Sequence, residues 1–155
     1  MKRSFKFYLA CGLVALLSAG LSSSLMAQDE KPFAEQKFVL QLSDMDPDKQ
    51  TLVLNNASNI LKYYGEDKAD VEIVAYGPGL HMLRADTSPV KDRLKDYAPS
   101  FPNVTFAACG NTIKGMTKKE GKAPTLISSD SISVVPSGVV QLIARQDQGW
   151  HYIRP

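Results

Sequence analysis

The chain has 155 residues, 18 Lys+Arg against 16 Asp+Glu, and 44% hydrophobic content. That length suits one globular core and is too short for a multidomain enzyme. The mix of charge and aliphatic residues excludes a disordered chain.

A basic start at Lys2, Arg3 and Lys6 precedes an apolar run over residues 7–17, and small residues then lead to Ala27. This is the layout of a secretory signal peptide, so residues 1–27 are expected to be cleaved and the protein to be periplasmic. The apolar run falls short of the roughly 20 residues a spanning helix needs, so no membrane anchor is expected after cleavage. Removing Lys2, Arg3 and Lys6 from the 18 basic residues leaves 15 against 16 acidic, a net charge of −1. The pI near 8.5 belongs to the full chain. A near-neutral domain offers no electrostatic case for nucleic acid or a membrane surface.

Residues 28–36 are polar and read as a flexible lead-in to a domain over 37–155. Residues 37–42 read as a first strand. Asp46-Pro47 then opens a helix, with Asp as cap and Pro at the first helical position. Val53, Ala57, Ile60, Leu61 and Tyr64 share one helical face, and Gly65 fits the stop. Residues 71–76 form a second strand, ended by Gly77-Pro78-Gly79. Ser88-Pro89 starts another helix, with Val90, Leu94 and Tyr97 on one face. Residues 104–108 form a third strand running into Cys109-Gly110. Asn111 or Thr112 is expected to cap a short helix carrying Ile113 and Met116. Residues 117–129 are mostly polar and Lys-rich, and read as a mobile loop. Residues 131–135 make a fourth strand, Ser137 caps a helix to about Gln148, and residues 150–153 finish as a short strand. This alternation predicts an α/β domain, a three-layer sandwich around a mainly parallel sheet of about five strands.

In open parallel sheets, ligands collect beyond the carboxyl ends of the strands. Ser43, Asp44, Gly77 to Gly79, Cys109 to Thr112, and Pro136 with Ser137 fall there. Cys11 leaves with the signal segment, so Cys109 is the only thiol of the mature chain and cannot form an internal disulfide. At a strand-to-helix junction, free helix amides favour thiolate over thiol. The alternative is a small apolar residue closing a buried strand, the commonest setting of a free Cys. Lys114, Lys118, Lys119 and Lys122 follow, either drawing an anion toward the thiol or forming a solvated face. Arg84 is a further basic candidate. His81 is a candidate base or thiolate partner for Cys109, or simply a polar loop residue. His151, between Trp150 and Tyr152, reads as structural.

The Gly77-Pro78-Gly79-Leu80-His81 run has Met82 where a dinucleotide fingerprint needs Gly, and no phosphate-loop Gly-Lys-Ser/Thr occurs. The Cys and His spacing fits no metal site, and no nucleophile-elbow sequence is present. No cofactor is implied.

The segments Val74-Ala75-Tyr76-Gly77-Pro78-Gly79-Leu80-His81-Met82-Leu83, Phe106-Ala107-Ala108-Cys109-Gly110-Asn111-Thr112 and Val134-Val135-Pro136-Ser137-Gly138-Val139-Val140 resemble the DsrE/DsrF-like family. So does the closing Gly149-Trp150-His151-Tyr152-Ile153-Arg154-Pro155. The resemblance covers about residues 36–155. It implies a three-layer fold and assembly into a homotrimer or homohexamer. It also implies a sulfurtransferase-like carrier holding sulfur as a persulfide on Cys109, with donor and acceptor unnamed. Gly110, Asn111, Thr112 and Lys114 would line one side of that site, and Tyr76, Gly77, Pro78, Gly79 and His81 the other. Two further readings stand beside this one. One is a ligand- or protein-binding module in which Cys109 only packs. The other is a redox sensor forming a disulfide across subunits.

Overall fold

The computed structural model describes residues 35–155. The expected signal segment and most of the lead-in lie outside the described residues. Strand β1 (Gln36–Leu42) begins one residue earlier than expected, inside the lead-in. It is followed by α1 (Pro47–Tyr64), β2 (Ala69–Ala75), a 3-10 helical segment (Gly77–Leu83), α2 (Lys91–Ser100), β3 (Val104–Cys109) and α3 (Gly110–Glu120). The chain ends with β4 (Ile132–Val135), α4 (Gly138–Asp147) and β5 (His151–Ile153). The five strands form one sheet in the order β4-β3-β2-β1-β5, and every pairing is parallel. No helix among the described residues is long and apolar enough to cross a membrane.

The strand period of two sorts side chains onto two unequal faces. On one face, Phe38, Leu40, Leu42, Val71, Ile73, Ala75, Val104, Phe106 and Ala108 meet α1 (Val53, Leu54, Ala57, Leu61), α2 (Leu94, Tyr97) and Leu80, Met82 and Leu83 of the 3-10 segment. Ile113 and Met116 of α3 pack against the same core. On the other face, α4 covers Val39, Val74 and Ala107 with Leu142. The His151 ring lies 5.4 Å from that of Phe38, centroid to centroid, tilted by 34°.

Glu72 holds α4 in place. Its side chain is on the α4 face of the central strand and is 5% exposed. Arg145 donates to both carboxylate oxygens, Nε at 2.8 Å and Nη2 at 3.0 Å, and Gln141 Nε2 reaches both at 3.0 and 3.1 Å. The guanidinium carbon also lies 4.5 Å from the Trp150 ring centroid. A buried carboxylate is tolerated only when its charge and lone pairs are met, as here. Two bonding residues one helical turn apart fix the rotation of α4, and with it the position of its first amide.

Three expectations are corrected. The second helix starts at Lys91, not at Ser88-Pro89, because the Ser88 hydroxyl accepts the Val90 N–H in a turn before it. The third helix is capped by Cys109 itself and begins at Gly110, so neither Asn111 nor Thr112 is its cap. Residues 117–129 are not a mobile loop throughout. α3 runs to Glu120 and closes on Gly121 in the left-handed region (φ 77°). Beyond it, Ile127 N–H donates to Leu83 at 2.9 Å, Thr125 accepts from Ala85 at 2.8 Å, and Ile127 is buried.

Arg145→Ala should destabilise the fold by about 3 kcal/mol, since it strips a buried carboxylate of its counter-charge. Urea denaturation reads this directly. A loss under about 1 kcal/mol would show that Glu72 does not anchor α4.

Candidate functional site

Cys109 ends β3 opposite Val135 of β4, and two helices begin beside it. α3 starts at the next residue on one face, while α4 starts at Gly138 on the other. The thiol is 5% exposed. Burial pushes its pKa up, but four donors act against that: the Thr112 hydroxyl and the backbone N–H groups of Gly138, Thr112 and Asn111. The donors win, and the thiol titrates below its ordinary value. The Asn111 amide is shared, because it also donates to Pro136 O at 3.2 Å.

The approach is close on both sides. A Cβ on Gly138 would stand 2.8 Å from Tyr76 Cβ, and one on Gly110 would stand 3.0 Å from Val135 O. Glycine at these two positions lets both helix starts reach the sulfur. Gly79 is tighter still, with its missing Cβ only 2.2 Å from Leu42 O, which seats the 3-10 segment on the end of β1.

Thr112 links the sulfur to the 3-10 segment. Its Oγ1 accepts the Gly77 N–H at 2.8 Å. With one lone pair so occupied, the hydroxyl proton is directed toward Sγ, where it stabilises thiolate. Beyond Thr112 a groove of about 430 Å³ opens, lined by Met45, Gly77, Pro78, His81, Thr112, Gly115, Met116, Lys119 and Glu120.

Other candidates fall away from the sulfur. His81 lines the groove and its Nδ1 lies 2.9 Å from Thr87 Oγ1, and it is not among the groups bonded to Cys109. Lys114 and Lys118 are exposed along α3. Arg84 is corrected from a basic site residue to a structural clamp. It is 4% exposed, with Nε and Nη2 on Asp86 at 2.9 and 2.8 Å and Nη1 and Nη2 on Glu120 at 2.6 and 2.9 Å. The Arg84 hydrogen bonds hold the Asp86 carboxyl down at about 2 and shift Glu120 downward too, so neither acid is protonated near neutral pH.

The sequence reading missed the Gly138 amide, although Ser137 was marked as a helix start and the first helical N–H follows from that. It also missed Met45, Gly115, Met116 and Glu120, which join Lys119 in the groove wall once α3 is seen to run on to Glu120. No group of three or more His, Cys, Asp or Glu gathers to hold a metal among the described residues.

A family model described as the DsrE/DsrF-like family matches residues 36–155. A solved structure of a protein of unknown function from Methanobacterium thermoautotrophicum is similar, with a TM-score of 0.65 and 28% identity over 77% of this chain and 99% of that one. No curated protein matches the chain.

Thr112→Val should slow Cys109 alkylation below pH 8 by roughly tenfold, because one hydrogen bond to a charged group is worth about 1.5–3 kcal/mol. Thr112→Ser should keep most of the rate. The pH–rate profile with iodoacetamide should move to higher pH in the Val variant. An unmoved profile would remove Thr112 from thiol activation.

Proposed function

Because the chain belongs to the DsrE/DsrF-like family, we propose that it is an exported sulfur-handling protein, a sulfurtransferase-like carrier that holds sulfur as a persulfide on Cys109. The observation that carries this reading is the place of Cys109 at the carboxyl end of β3, between the starts of α3 and α4, where nearby donors lower the thiol pKa despite its burial. The Cys109 thiolate attacks the outer sulfur of a persulfide donor R–S–SH. The S–S bond of the donor breaks, R–S⁻ leaves, and Cys109 carries S–SH. An acceptor thiolate then attacks that terminal sulfur and releases Cys109 as thiolate. The same donors assist both steps. They raise the thiolate fraction available for attack and make Cys109 a better leaving group on transfer, since lower-pKa thiols leave faster.

On this reading Tyr76, Gly77, Pro78 and Gly79 hold the 3-10 segment and α4 against the sulfur. His81 belongs to the groove wall, and the backbone donors take the place of an imidazole base. Lys114 and the lysines after it give the approach a positive rim. The basic and apolar start of the sequence supports export to the periplasm.

Intact mass of the mature protein, isolated without reductant, should rise by one sulfur atom after treatment with polysulfide. The gain should reverse with a thiol and be absent in Cys109→Ala. An unmodified Cys109 that alkylates only after denaturation would sink the carrier reading and favour a binding module instead.

Assembly into a homotrimer or homohexamer forms part of the same proposal. Val139, Val140 and Ile143 are 51–61% exposed on the outer side of α4. That much aliphatic surface is unusual on a solitary helix face and suits burial against another subunit. Sedimentation velocity should show a trimer or hexamer, converted to monomer by Val140→Asp with Ile143→Asp. A monomeric wild type at micromolar concentration would refute it.

A further inference from the structure

Gly115 stands in the middle of α3, where glycine is less stable than alanine because it loses more backbone freedom on folding. Nothing in the packing requires it, since a Cβ built there would meet no atom within 4 Å. In this it differs from Gly79, Gly110 and Gly138, each held small by a neighbouring backbone or ring. Gly115 instead lines the groove that opens beyond Thr112. Its missing side chain keeps that groove open.

The groove is within the size range of small-molecule sites, at about 430 Å³. Met45, Pro78, Met116 and the two glycines give it apolar walls. Its polar groups are not equally available. Both Glu120 oxygens are taken by Arg84, and the His81 Nδ1 is taken by Thr87. Lys119 is exposed and has no acidic partner among the described residues. The free donors are therefore one ammonium and the other nitrogen of His81, and the Lys119 ammonium must hold an anion against the one negative charge left where Arg84 serves both Asp86 and Glu120.

We propose that this groove binds a small organic anion, its apolar body against Met45, Pro78 and Met116 and its carboxylate at Lys119. Thr112 lines the groove and its hydroxyl also acts on Cys109, so occupancy is felt at the thiol. Only that last link rests on reading Cys109 as the reactive group.

The probe is 4-phenylbutanoate, with 4-phenylbutanol and 4-phenylbutylamine as neutral and cationic counterparts of the same shape. Amide NMR of the mature protein should show saturable shifts at Gly77, Gly115, Met116 and Lys119 with the carboxylate. The amine should bind at least about tenfold more weakly, and Lys119→Gln should reduce the carboxylate to the affinity of the alcohol. Gly115→Leu should fill the groove and abolish the shifts while Tm stays level or rises, which separates lost binding from lost folding. Saturating carboxylate should change the Cys109 alkylation rate at least about twofold.

Absent shifts at millimolar probe, shifts that survive Gly115→Leu, or an amine that binds as well as the carboxylate would each overturn the site. Binding with an unchanged alkylation rate would overturn its link to Cys109. The probe carries no sulfur, so these outcomes are independent of whether Cys109 is a persulfide carrier.

Discussion

Parallel pairing delivers every strand's carboxyl end to one edge of the sheet, and each helix that follows must begin there. In this chain the rule brings two helix starts to a single side chain. β3 places Cys109 opposite Val135, α3 begins on one face at Gly110, and α4 begins on the other at Gly138. Helix starts carry amides with no partner inside the helix, and those of α3 and α4 gather beside the sulfur. Burial would otherwise keep the thiol neutral. The convergence opposes that, so a nearly buried thiol titrates below its ordinary value.

Such convergence needs both helices held closely and at a fixed rotation. Gly110 and Gly138 allow the approach, and any larger residue at Gly138 would collide with Tyr76. Rotation comes from the Glu72 cluster on α4, where Arg145 and Gln141 saturate a carboxylate on the central strand. On the α3 side the clamp is Arg84, which ties the end of that helix to the segment after the 3-10 turn. Neither ion pair touches the sulfur. Each fixes an element that does.

Thr112 joins the two regions of interest. Its oxygen receives the Gly77 amide, its hydroxyl serves Cys109, and its outer surface bounds the groove kept open at Gly115. A thiol that senses what occupies a neighbouring site needs such a shared group. A mid-helix glycine with no packing duty is the structural trace of that groove.

Much of this was determined by the sequence alone, because it is encoded locally. Alternating apolar runs gave the strands, Asp46-Pro47 and Gly65 bounded α1, and the β-α alternation implied a parallel sheet with Cys109 at its carboxyl edge. Tertiary structure decided what depends on partners distant in the chain. The Lys-rich stretch read as a loop because Glu120 finds Arg84, and Ile127 finds Leu83, some forty residues upstream. Arg84 looked available for a ligand because nothing in its spacing shows that its charge is already spent. Asn111 or Thr112 was expected to cap α3, yet the Thr112 hydroxyl accepts from Gly77 and acts on Cys109, since Gly77 comes within reach only once the strands are in register. Gly138 escaped notice as a donor for the same reason. A backbone amide has no residue signature, and only folding determines where it points.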